Sequence, residues 1–285
     1  LEGKMDIEFL KMHGLGNDYI FLDCFKNKMP EEKYLPHLAK AISDRHFGVG
    51  GDGLVLIMPG EKEKLRMRIF NADGSEAEMC GNAIRCLGRY VYDSGLVNEK
   101  DFPVETAKRI IHCSVIDSHN LRADMGAPYY IDNSGELKEI ANMDFKKYLT
   151  IEDKEYSYTP VSMGNPHAVL FVPDYNFNLH EVGRQIENHS DFPNRTNVEF
   201  VQIYSREEIR MRVWERGSGE TLACGTGASA SVVASVLNGF TDREVLVHLN
   251  GGDLYIEWSQ RDNHIYLMGP AEYTFTGTYY YEEQS

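Results

Sequence analysis

The chain has 285 residues and a mass of 32.5 kDa, with 29 basic against 44 acidic side chains and a net charge of −15. A pI near 5.1 excludes the basic field that a nucleic-acid or anionic-membrane binder needs. A hydrophobic content of 42%, with 13 Phe, 17 Tyr and 2 Trp, excludes a disordered chain, and about 100–200 residues per domain predicts two domains. The longest apolar runs, such as Leu54–Met58 and Ala168–Val172, are far too short to cross a membrane as helices. No basic-then-apolar segment opens the chain, so the expected location is the cytoplasm.

In chain order, Gly16-Asn17 reads as a turn ahead of the apolar stretch Tyr19–Leu22. Leu35, Leu38 and Ile42 follow helical spacing, with Pro36 restricting where that helix starts. Arg66–Phe70 predicts a strand, and Cys80–Ser94 a helix that Gly95 ends. Arg109–Val115 predicts another strand, and the polar segment 132–155 a linker. Gly164-Asn165 then repeats the turn before Ala168–Val172, and Leu179, Val182 and Ile186 repeat the helical spacing. Val198–Tyr204 and Ile209–Trp214 predict strands before a second cysteine-led helix, Cys224–Asn238, which Gly239 ends. That helix has no charged residue, and a helix apolar all round is a buried one. The strands Glu244–Leu249 and Asp253–Trp258 flank an Asn250-Gly251-Gly252 hairpin turn, and Glu272–Tyr280 predicts a last strand.

The order of elements repeats because the sequence does. A shift of 144 residues lays Arg66-Met67-Arg68-Ile69-Phe70 over Arg210-Met211-Arg212-Val213-Trp214, Glu76 over Glu220, Cys80 over Cys224 and Gly81 over Gly225. Six identities in sixteen ungapped positions indicate duplication. The expected fold is therefore α/β (α+β), built of two pseudo-symmetric repeats. Residues 5–130 would carry Cys80 and residues 150–285 Cys224, each a mixed sheet rolled around a central helix.

Five cysteines and no secretory segment speak against a disulfide scaffold, and the absence of a Cys-x2-Cys pair speaks against structural zinc. Cys24, Cys86 and Cys113 read as small buried hydrophobes. Cys80 and Cys224 differ, because each stands where a Gly-rich turn becomes a helix. Unpartnered amides and the macrodipole make such a point positive, which eases thiol ionisation and suits a bound carboxylate. Two such ends around one carbon suit a proton shift with inversion, one thiol removing a proton and the other returning it. His167, after Gly-Asn-Pro, could tune a thiol or be a plain loop histidine.

The segments that hold these residues resemble diaminopimelate epimerases. They are Lys11–Asp18, Asn71–Arg85, Gly164–His167, Arg195–Val198 and Glu215–Gly227, in family order and spacing. The resemblance implies a cofactor-independent enzyme interconverting LL- and meso-2,6-diaminopimelate, with its site in a cleft between the repeats and a homodimeric assembly. By the same resemblance Cys80 and Cys224 are the acid/base pair, and Asn17, Asn71, Asn165, Asn197 and Arg216 bind substrate. Gly81-Asn82 and Gly225-Thr226 would hold the reacting carboxylate, while His167 and Glu215 adjust the thiols and the amine. One departure is Gly51-Asp52-Gly53, where some members carry Phe-Asp-Gln, so Gly53 is left out of the site. Tyr279-Tyr280-Tyr281 matches nothing assignable. A proline-racemase-like enzyme also pairs thiols, but its substrate has no charged distal end for the Asn and Arg set to bind. A binding or thiol-redox module would need only one reactive cysteine, or two close in sequence.

Overall fold

The computed structural model describes residues 4–131, 137–139 and 145–282. The chain divides into two compact units, one formed by Leu1–Ala123 with Gly269–Ser285 and the other by Asp124–Met268. This differs from the sequence halves at the carboxyl end, where residues 269–285 belong to the first unit. Pairing explains it: the last strand, Glu272–Glu282, lies antiparallel along the first, Lys4–Gly14, with Ile7 opposite Tyr279 and Met5 opposite Tyr281. The aromatic run thus has a place. Tyr281 is buried, bonded to His37 at 3.1 Å, while Tyr280 on the other face is exposed.

In the first unit, Lys4–Gly14 turns back into Asn17–Asp23, which runs parallel to Gly53–Pro59. Leu65–Asn71 follows antiparallel, then Asp101–Glu105 and Ile110–Val115. Helix α1 (Leu35–Ser43) carries Pro36 in its first turn, where a missing N–H matters least. Its Leu35, Leu38 and Ile42 bury against Ile20, Leu54, Phe70 and Tyr281, each contributing roughly 1.5–3 kcal/mol. Helix α2 (Gly81–Asp93) touches strands near both ends of the sheet, Lys4–Gly14 and Ile110–Val115, so the sheet curls around it.

The second unit repeats the plan. Lys154–Ser162 pairs with Pro166–Phe171, which runs parallel to Asn197–Ile203, and Glu208–Glu215 follows antiparallel. The strands Glu244–Leu249 and Gly252–Trp258 form the expected hairpin. Helix α3 (Leu179–Glu187) packs outside, and α4 (Gly225–Leu237) contacts five strands from within. Its serines tolerate burial because Ser229, Ser231 and Ser235 each donate to the carbonyl four residues back, at 2.7–2.9 Å. Both central helices end before a left-handed glycine, Gly95 (φ 73°) and Gly239 (φ 74°). The predicted linker 132–155 lies partly outside the described residues. Its described part contains the strands Leu137–Glu139 and Lys147–Ile151 and the start of Lys154–Ser162.

The registers also match positions between the units. Tyr19 pairs with Gly53 as His167 pairs with Asn197, and Leu54 with Phe70 as Val198 with Trp214. Hence Asn17 corresponds to Asn165, Tyr19 to His167, Val55 to Glu199, Asn71 to Glu215 and Arg85 to Ser229.

Candidate active site

Cys80 and Cys224 are the N-cap residues of α2 and α4, both in extended backbone geometry. Each faces the asparagine of its unit's Gly-Asn turn or a neighbour of it. Gly16 (φ 84°) and Gly164 (φ 97°) supply the left-handed conformation that aims Asn17 and Asn165 inward.

In the first unit, Cys80 Sγ donates to Asn17 Oδ1 at 3.4 Å, and Asn82 Nδ2 donates to the same oxygen at 3.1 Å. Asn17 is itself held by Asp52, whose Oδ2 accepts its Nδ2 at 2.6 Å. Arg45 bridges Asp52 and Asp18, and buried Lys11 reaches Asp18 at 2.7 Å. Burial alone would raise the Asp18 carboxyl, but Arg45 and Lys11 hold it below its ordinary range. Burial and then the adjacent Cys80 push the Tyr19 phenol well above its usual value. Arg85 is wholly buried and, among the described residues, bonds neutral oxygens alone: Asn82 Oδ1 at 2.7 Å, Gly81 O at 2.9 Å and Pro270 O at 3.3 Å. Burial lowers its guanidinium to about 10, and Cys86 and Cys80 oppose that change. Asn71 is occupied at 3.0 Å by Ser75. The glycine at 53 has a local cause: a Cβ there would meet Phe70 O at 2.3 Å.

In the second unit, Cys224 Sγ accepts the Gly227 N–H at 3.3 Å and lies 3.4 Å from Thr226 Oγ1. Thr226 Oγ1 accepts from Asn165 Nδ2 at 3.3 Å, and Asn165 Oδ1 is 3.1 Å from His167 Nε2. His167 is a buried strand residue, not a loop histidine, and its Nδ1 lies 2.6 Å from Glu199 Oε1. Glu215 is bonded by Thr221, and burial raises its carboxyl. Asn197 Oδ1 accepts the Arg216 N–H at 2.9 Å and its Nδ2 donates to Pro166 O, so this asparagine positions the Arg216 loop. The Arg216 side chain is exposed and donates to Asn194 O at 3.2 Å.

The helix-start argument for easy ionisation is overruled at Cys224. Burial pushes that thiol well above its ordinary value, and the Glu215 and Glu199 carboxylates push further than Thr226 and the Gly227 amide can oppose. Sequence reasoning also missed four carboxylates. Asp52 orients Asn17, Asp18 holds Arg45 and Lys11 beside it, Glu199 meets His167, and Glu187 ties Trp214 Nε1 (2.7 Å) and the Gly217 N–H (2.9 Å) beneath the Arg216 loop. A lone acid inside an apolar strand run was the available signal for Glu199. Among the described residues no cluster of three His, Cys, Asp or Glu is arranged to hold a metal ion.

The sequence matches the family described as diaminopimelate epimerase over residues 9–131 and 159–274. A diaminopimelate epimerase of Acetivibrio thermocellus is 49% identical over 276 residues, covering 95% of this chain and 98% of that protein. One from Methanococcus maripaludis is 45% identical, covering 95% and 99%. Among solved structures, a hydroxyproline epimerase from Agrobacterium vitis superposes with a TM-score of 0.71 at 14% identity, covering 98% of this chain and 93% of that one. A PhzF-family phenazine biosynthesis protein of Bacillus anthracis gives 0.67 at 16%, covering 96% and 98%. At such identities the likeness concerns the fold alone.

Proposed function

The chain belongs to the diaminopimelate epimerase family, and from that premise we propose how its residues carry the activity. The reaction is cofactor-independent epimerisation of LL-2,6-diaminopimelate to the meso form, with Cys80 and Cys224 as the two acid/base groups. One sulfur, as thiolate, takes the α-proton from one face of the carbon, and the other, as thiol, gives a proton to the opposite face. The return reaction exchanges the roles. The observation that carries this reading is the doubled N-cap: each unit sets one cysteine at the start of a buried helix.

The first-turn amides at Gly81-Asn82 and Gly225-Thr226 are assigned to the carboxylate of the reacting centre, where charge develops as the proton leaves. Asn17 and Asn165 orient that end through Cys80 and Thr226, and Glu215 and His167 take the amine and thiol adjustment. Asn71, Asn197 and exposed Arg216 are assigned to the distal, non-reacting end, Asn197 chiefly by fixing the Arg216 backbone. A planar guanidinium can bind both oxygens of a carboxylate there. The test is solvent deuterium entering the α-carbon of LL-diaminopimelate, with meso product on chiral analysis. Turnover without label at that carbon would overturn the proton-shift reading.

We further infer a homodimer, supported by the exposed Tyr273, Phe275 and Tyr280 on Glu272–Glu282. Sedimentation of wild type against Phe275→Lys tests this, a dimer in both chains placing the contact elsewhere. Among the described residues no helix is long and apolar enough to cross a membrane, and a cytoplasmic location is our reading.

A further inference from the structure

Glu199 is wholly buried, yet the two-thiol chemistry gives it no task. Its Oε1 meets His167 Nδ1 at 2.6 Å, and its Oε2 has no hydrogen-bond partner among the described residues. From Oε1 a line of contacts runs through His167, Asn165 and Thr226 to Cys224 Sγ, with steps of 2.6, 3.1, 3.3 and 3.4 Å. The same carboxylate also packs on the first turn of α4: a Cβ added at Gly227 would meet Glu199 Oε1 at 2.8 Å and Cys224 Sγ at 3.3 Å. Carboxylate and sulfur therefore both crowd the space a side chain at Gly227 would fill, out of water, where charges interact strongly.

Packing alone does not require an acid here. The matched position of the first unit is Val55, wholly buried in its own strand. Around Cys224, Asn197–Ile203 brings Glu199, Glu208–Glu215 brings Glu215 and the first turn of α4 brings neutral Thr226, while Pro166–Phe171 sets His167 against Glu199 and Asn165. The first unit instead sets the Arg85 guanidinium near Cys80.

We propose that Glu199 is a positioning residue that keeps the proton on Cys224, so that the resting enzyme carries a thiol there and offers Cys80 as the first base. The proposal rests on the two-thiol reading above and adds to it which sulfur starts protonated. The wholly buried Glu199 and the half-buried Glu215 repel a thiolate at Cys224, in accord with the upward push on that thiol. The deprotonating step then belongs to Cys80, once the S–H proton it directs at Asn17 Oδ1 has left to solvent, and the S–H of Cys224 supplies the proton that returns.

The experiment titrates each thiol without needing turnover. In full-length chains carrying Cys80→Ala, iodoacetamide alkylation of Cys224 is followed by peptide mass spectrometry from neutral to alkaline pH. Chains carrying Cys224→Ala report Cys80 in the same way. Adding Glu199→Gln should move the Cys224 midpoint down by about one on the pH scale, making its alkylation at a fixed mildly alkaline pH about tenfold faster. The Cys80 midpoint should stay in place, and Glu199→Asp, which keeps the charge, should keep the high Cys224 midpoint. An unmoved Cys224 midpoint in the Gln chain, an equal change at both thiols, or an Asp chain behaving like Gln would overturn the proposal. With Glu199 intact, Cys224 must ionise at higher pH than Cys80; the reverse order overturns it even if the Gln chain does not fold. Deuterium exchange by wild type is scored separately, so failed epimerisation with the ionisation order intact counts against the earlier reading alone.

Discussion

Where the first unit carries Tyr19, Val55, Asn71 and Arg85, the second carries His167, Glu199, Glu215 and Ser229 at the matched positions. The frames agree down to single bonds. Arg85 Nη1 donates to Gly81 O at 2.9 Å, and Ser229 Oγ donates to Gly225 O at 2.9 Å, each four residues back along its helix. The surroundings of the two sulfurs diverge in charge: the buried Arg85 guanidinium acts on Cys80, and the Glu199 and Glu215 carboxylates act on Cys224. Duplication thus supplied two similar helix starts, and the side chains around them made the starts unequal. A symmetric pair of thiols would have no preferred proton at rest.

The largest test of that comparison removes each sulfur in turn. Cys80→Ala and Cys224→Ala should each lower kcat by at least about a thousandfold with the circular dichroism spectrum unchanged, since the opposite face of the carbon then lacks its acid or base. If either variant kept a few per cent of turnover, the two sulfurs would not be partners.

The next effect is on stability and concerns one unit only. Tyr281→Ala empties a buried site among Ile7, Leu38 and Phe70 and should cost roughly 3–5 kcal/mol. Hydrogen exchange should quicken in α1 and Lys4–Gly14 while α4 stays protected. Equal loosening of both units would show that they do not unfold separately.

Arg216→Lys should reduce kcat/KM for diaminopimelate by one to two powers of ten, about 1.5–3 kcal/mol for a charge-assisted contact. Both thiols should titrate as in wild type. Normal use of diaminopimelate by this variant would remove Arg216 from recognition of the distal end.

The smallest effect is acid sensitivity at Asp18. Its folded-state carboxyl is held low, so its stabilisation is complete above the unfolded value near about 4 and fades as pH falls through the folded one. Because Asp18 is only partly buried, screening leaves under about 1 kcal/mol. Asp18→Asn should flatten the acid limb of the melting temperature by that amount, and an unchanged limb would assign the acid loss to other carboxylates.

Much of this was legible in the sequence because it depends on short-range signals. Glycine punctuation fixed the ends of α2 and α4, the 144-residue echo exposed the duplication, and the charge-free run after Cys224 announced a buried helix. The protonation of Cys224 was not legible, since burial and two acids from other strands outweigh the local helix start. Glu199 was hidden for the same reason: inside Asn197–Ile203 it reads as one polar residue of a strand, and only the register sets it against His167. The placement of Glu272–Glu282 was equally remote, because its partner strand lies at the other end of the chain.

That last pairing has a consequence for synthesis. The ribosome delivers Lys4–Gly14 first and its neighbour Glu272–Glu282 last, with the whole of Asp124–Met268 in between. At about 5–20 residues per second, the early strand waits roughly 10–50 s with one edge unpaired. An open edge carrying Ile7 and Phe9 is a template for a neighbouring nascent chain, so this is the interval in which a chaperone has most to do. The second unit, continuous in sequence, can close on itself before that interval ends.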